Sequence, residues 1–173
     1  GFVTFAPYNL YSVYSGQERP RMLRRKAGPL RASYFSIIGP QHQQILNWLA
    51  SLDCVDKSRI GFYGLSYGGV SAMRLPALLE GYALSICSAN FNDWVFKTSS
   101  VSLPLTYMYH HEFEMFCEFN VANCFNYSDL ARLIAPRPFM VERGYGDGAG
   151  TDAIVAGEYA RVRAFYAGLG IPE

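Results

Sequence analysis

The chain has 173 residues, half of them hydrophobic and 17% charged, with a formal net charge of +1. That length holds one domain with a real core, and so small a net charge sets up no global field toward nucleic acid or an anionic membrane. No run of about 18 apolar residues is present, so no segment reads as a bilayer-spanning helix.

Residues 2–6, FVTFA, read as a buried strand ended by Pro7. A long irregular stretch is expected next, broken by Gly16, Pro20, Gly28, Pro29, Gly39 and Pro40. Within it, residues 19–31 carry Arg19, Arg21, Arg24, Arg25, Lys26 and Arg31. This is a solvated surface segment or, on a sharper reading, a basic wall that attracts an anionic substrate. Residues 42–52 put Ile45, Trp48, Leu49 and Leu52 on one helical face. RIGFY, residues 59–63, is the second strand. A helix over 67–80 follows, closed by Gly81 and with Pro76 as a kink point. ALSICS, residues 83–88, is the third strand and PFMVER, residues 138–143, the fourth. Between these two lies an aromatic-rich excursion over residues 89–137, whose last part, YSDLARLIAPRP, returns to the sheet as a short helix and turn. Residues 152–167 repeat apolar positions at Val155, Tyr159, Val162 and Tyr166, with Thr151 or Asp152 able to cap the helix. Short apolar strands alternating with helical periods predict an α/β fold: a single domain over residues 1–173 with about four parallel strands and helices on both faces.

The chemistry concentrates in YGLSYGG, residues 63–69. A strand runs into this Gly-x-Ser-x-Gly stretch and a helix leaves it, the setting of a nucleophile elbow. The serine of such an elbow sits in a strained backbone, so Gly64 and Gly68 are expected to be small for steric reasons. The helix start then offers backbone N–H groups to an oxyanion, that of Tyr67 among them. The competing reading is a glycine-rich turn holding an inert serine.

Two stretches, VDKSRIGFYGLSYGGVSAMRLPALL and LIAPRPFMVERGYGDGAGTD, resemble α/β-hydrolases of the dienelactone hydrolase and acetyl xylan esterase-like branch, which has many bacterial members. The resemblance implies a chain order of nucleophile, acid, histidine. Ser66 is then the nucleophile. Asp147, a few residues past the fourth strand, matches the acid, with Asp152 as runner-up. Glu142 falls inside the strand pattern, where an ion pair with an arginine is the simpler account. An acid in this role orients the histidine and stabilises the imidazolium.

No histidine follows Asp147 in this sequence. His42 precedes the elbow, and His110 and His111 lie in the excursion. The expectation is therefore an α/β-hydrolase core missing both ends, with the triad histidine beyond Glu173 and a second oxyanion donor upstream. No metal is expected: the four cysteines lack CxxC pairing, and the HHEFE stretch at 110–114 offers two ligands on a helix face at most. Cys117 and Cys124 read as a disulfide or as two thiols. The resemblance implies a serine hydrolase without cofactor, acting on a small-molecule ester through an acyl-enzyme. A prolyl-oligopeptidase-type peptidase, which shares the elbow and the triad order, is the rival within the enzymes, and a non-catalytic binding protein is the rival outside them. Oligomeric state and compartment stay open.

Overall fold

In the computed structural model, residues 2–8, 18–101, 106, 107 and 121–171 are described. Three parallel strands form one sheet in the order β1 (Gly61–Leu65), β2 (Leu84–Ser88), β3 (Phe139–Glu142). The register pairs Leu65 with Ser88 and Ser88 with Glu142, so the three carboxyl ends finish level. The loops that leave them converge on one rim, where parallel sheets carry their sites.

The pleat sorts the strand residues. Phe62, Gly64, Ser85, Cys87, Phe139 and Val141 share one face, and the apolar cores form against it. The helices are α1 (Glu18–Ala27), α2 (Phe35–Ala50), α3 (Tyr67–Leu78), α4 (Trp94–Ser99), α5 (Val121–Cys124), α6 (Tyr127–Arg132) and α7 (Asp152–Gly168). One core joins Ala72 and Met73 of α3 to Cys87, Phe91, Trp94, Tyr127, Ala131 and the α7 residues Val155 and Val162. A second joins Tyr34 to Phe35, Ile38 and Leu46 of α2, to Val70 and Leu75 of α3, and to Tyr82. The opposite face carries Tyr63, Leu65 and Met140, all exposed among the described residues. The expected parallel sheet with packed helices is present, and both cores form against this one face among the described residues.

Two expectations change. Residues 2–6 form no strand: Phe2 is fully exposed, and Phe5 instead packs its ring 5.1 Å from Trp48 on α2. An apolar run makes a strand only when a neighbour accepts its ladder, and none is described beside it. The stretch expected to be irregular holds α1 and the first turns of α2. Arginine, lysine, methionine and leucine are good helix formers, which favours α1. Burial of Phe35 and Ile38 carries α2 through Gly39 and Pro40 despite their cost. In α1, the Arg24 guanidinium lies 4.9 Å above the Tyr34 ring, a stacking contact that reads as structural.

Arg137 ties the frame below the site. Its guanidinium donates to the carbonyls of Pro76, Leu79, Tyr82 and Ile134, closing the carboxyl end of α3 against the entry to β2. Glu158 of α7 accepts the Ser128 N–H at 3.1 Å, near the start of α6. Thr151 caps α7 by accepting the Ile154 N–H at 3.3 Å.

Candidate active site

β1 ends at Leu65, and α3 starts at Tyr67, leaving one residue for a full reversal. Ser66 takes that turn with φ 57° and ψ −114°, backbone that non-glycine residues rarely adopt. Such a conformation costs about 1–3 kcal/mol and persists only where surrounding bonds fix it. Here the Ser66 N–H donates to the Ser88 carbonyl at 3.0 Å, and the Ser66 carbonyl accepts from the Val70 N–H at 3.1 Å. The side chain is exposed and caps nothing in α3. Tyr67 heads the helix at its positive dipole end, with its ring buried and stacked on Phe35 at 6.2 Å.

The glycines divide the steric work differently from the expectation. A Cβ on Gly64 would stand 1.9 Å from the Gly68 carbonyl oxygen, so the strand and the first helical turn touch there. A Cβ on Gly68 would meet nothing within 4 Å. The second tight position is Gly69, whose Cβ would fall 2.7 Å from the Ser88 carbonyl and 2.9 Å from the Asn90 Cβ. Gly64 lets the chain turn back, and Gly69 lets α3 lie on β2.

Asp147 lies in the loop after β3, which leaves the rim two strands from Ser66, roughly 10 Å across the sheet. Its side chain is 15% exposed, accepts the Ala149 N–H at 2.9 Å and faces Arg143 at 3.8 Å. Arg143 also donates to the carbonyls of Asp147 (2.9 Å) and Gly150 (2.7 Å). From the other side, Asn92 and Lys97 both donate to the Ala149 carbonyl, at 2.6 and 2.8 Å. Burial holds the Lys97 amine down to about 8, with the charge of Asp147 pulling it the other way. Asp152 is the first residue of α7, 94% exposed and paired with Arg143 at 2.9 Å. It serves that pair and the helix start. Glu142 ends β3 exposed, and its side chain makes no ion pair among the described residues, contrary to the expectation.

Of the three histidines, His42 is described. It lies buried in α2 rather than at a helix start, 2.7 Å from the Tyr82 hydroxyl, and burial lowers its pKa. His110, His111 and the rest of the HHEFE stretch lie outside the described residues, as does Cys117; Cys124 is exposed. A groove of about 410 Å³ between β3 and α7, lined by Pro138, Phe139, Tyr159 and Tyr166, sits at the amino end of β3, away from the rim that carries Ser66. Sequence reasoning missed Asn92, Lys97 and Arg143. The last had one visible signal, an arginine between the strand and a glycine-rich loop.

The fold has solved counterparts. The glucuronoyl esterase catalytic domain from Hypocrea jecorina superposes with a TM-score of 0.63 at 18% identity, covering 81% of this chain and 43% of that one. A promiscuous CE15 esterase from a marine bacterial metagenome gives 0.61 at 12% identity, covering 80% and 37%. A CE15 glucuronoyl esterase from Teredinibacter turnerae gives 0.60 at 18% identity, covering 80% and 36%. The chain therefore spans about two fifths of the length of these structures, and at such identities they establish the α/β-hydrolase fold. No curated protein sequence matches the chain. Residues 40–149, from α2 through the loop that holds Asp147, match the model of the prolyl oligopeptidase family, and the chain belongs to that family.

Proposed function

We propose that this chain carries the nucleophile and the acid of a serine hydrolase that cleaves carboxylic esters through an acyl-enzyme. The observation that carries the reading is the backbone of Ser66, held at φ 57° between β1 and α3 with its side chain exposed at the rim. Strain of this kind clusters at working residues. In the proposed reaction, the Ser66 Oγ attacks the ester carbonyl while a histidine takes its proton. Asp147 holds that histidine and stabilises the imidazolium. The Tyr67 N–H, at the head of α3, donates to the oxyanion. Collapse expels the alcohol with the histidine's proton, and water then hydrolyses the acyl group from Ser66. Side chains and a backbone amide suffice, with no metal or cofactor in any step.

Among the described residues, His42 is the one histidine, and it is engaged by Tyr82. We assign the proton acceptor to none of the described residues. The ester reading draws on the esterase neighbours, and the substrate class is a small-molecule or polymer ester. The family match favours a second reading, a peptidase on the same elbow.

Intact-mass analysis after exposure to a fluorophosphonate tests the nucleophile. The chain with its natural flanking residues is expected to gain one adduct, lost in Ser66→Ala. No adduct on folded protein refutes the reading. Running the 173-residue chain alongside shows whether its own histidines suffice. Turnover of matched ester and amide substrates separates esterase from peptidase.

A further inference from the structure

The loop that carries Asp147 reads RGYGDGAGT, with glycine at 144, 146, 148 and 150. Glycine loses more conformational freedom on folding than any other residue, so this loop is poorly suited to fix a carboxylate by itself. An acid that orients a histidine has to be fixed, because a displacement of about 1 Å near the chemistry costs up to about a hundredfold in rate.

What holds the loop comes from two directions. Arg143, at its start, holds the Asp147 and Gly150 carbonyls. The second hold comes from a distant part of the sequence. Asn92 follows β2, and Lys97 lies in α4; both are buried, and both donate to the one Ala149 carbonyl. Two donors on a single half-buried carbonyl satisfy both of its lone pairs. Asn92 is itself set: its Oδ1 accepts the Asp93 N–H at 3.0 Å. The Lys97 ammonium rests over the Tyr107 ring at 4.4 Å. The fit is close on the loop side as well, since a Cβ on Gly150 would stand 2.3 Å from the Asn92 Nδ2. Gly150 is therefore required by the Asn92 grip.

We infer that Asn92 and Lys97 are positioning residues for the reaction: by gripping the Ala149 carbonyl together, they fix the loop in which Asp147 meets the histidine. The start of the aromatic-rich excursion then has a mechanical role, bracing the acid from across the neighbouring strand. This rests on the reading of Asp147 as the acid.

The test uses the protein with its natural flanking residues and a p-nitrophenyl ester. Asn92→Ala and Lys97→Met are expected to lower kcat about tenfold to a hundredfold with KM within about twofold. Lys97→Arg, which keeps a cationic donor, is expected to recover part of the loss. Gly150→Ala, which removes neither side chain, is expected to mimic Asn92→Ala by pushing the amide aside. In the Asn92→Ala background it is expected to add little, because the clash is gone, and that non-additivity marks the grip itself. Asp147→Asn is the reference, with an expected loss on the order of 10⁴. Wild-type kcat in folded Asn92→Ala, Lys97→Met and Gly150→Ala, beside an inactive Asp147→Asn, overturns the inference and leaves the acid in place. A raised KM with kcat unchanged also overturns it, making the pair a wall of the substrate pocket. An active Asp147→Asn removes the acid reading and the positioning role with it.

Discussion

Gly64→Ala and Gly68→Ala are expected to behave as opposites, although both glycines belong to the same motif. A methyl on Gly64 would stand 1.9 Å from the Gly68 oxygen and 2.2 Å from its carbonyl carbon, where real contacts essentially never fall below 3.0 Å. Both sides of the clash are backbone, so the first turn of α3 has to retreat by about 1 Å, and Ser66 moves with it. Overpacking of that kind costs about 1–3 kcal/mol. A displacement of about 1 Å costs reactivity by up to about a hundredfold. Gly68 faces open space in the first turn of α3, where alanine gains up to about 1 kcal/mol in helix propensity. The assay is twofold: urea unfolding for stability, and the rate of fluorophosphonate labelling at Ser66 for geometry. A Gly64→Ala protein that unfolds at the wild-type midpoint and labels at the wild-type rate refutes the reasoning, and so does a Gly68→Ala protein that loses either.

Arg137→Met strips four carbonyls of a charged donor, and urea unfolding is expected to show a loss of about 3–5 kcal/mol; a change under about 1 kcal/mol contradicts the frame role. His42 binds its proton less readily folded than unfolded, so stability is expected to fall as pH drops below about 6.5, and His42→Gln to flatten that slope in melts across pH 5–7. Lys97 has the same sign at higher pH. Between about 8 and its ordinary 10.5 the unfolded chain holds a proton that the folded chain has released, so stability is expected to rise across that window. A Lys97→Met protein with an identical rise would place its source elsewhere.

Where neighbours in sequence decide the structure, the sequence was readable. The strands at 61–65, 84–88 and 139–142 and the helix at 152–168 follow from local apolar patterns bounded by turn residues. The elbow was readable because strand, serine and helix are contiguous. What was missed depends on distant partners. FVTFA has strand composition, yet a strand exists only through its neighbour. Gly69, not Gly68, is the tight glycine because of the Ser88 carbonyl on another strand, and the doublet Gly68-Gly69 does not say which of its members faces it. Asn92 and Lys97 reach Ala149 across more than fifty residues, and no motif announces such a contact.

Cys87 lies at the centre of this arrangement, 0% exposed on β2 beneath α3, with its thiol pushed up to about 12 by burial. Its Sγ stands 3.3 Å from where a Cβ on Gly69 would be, so it lines the surface on which the helix behind Ser66 rests. A thiol neither accessible nor ionised does not alkylate until that contact parts. The exposed Cys54 and Cys124 carry no such protection. The chain thus contains its own clock for the breathing of the elbow. The rate of iodoacetamide uptake at Cys87 itself, followed by peptide mass, times how often β2 and α3 separate, with no probe introduced into the molecule.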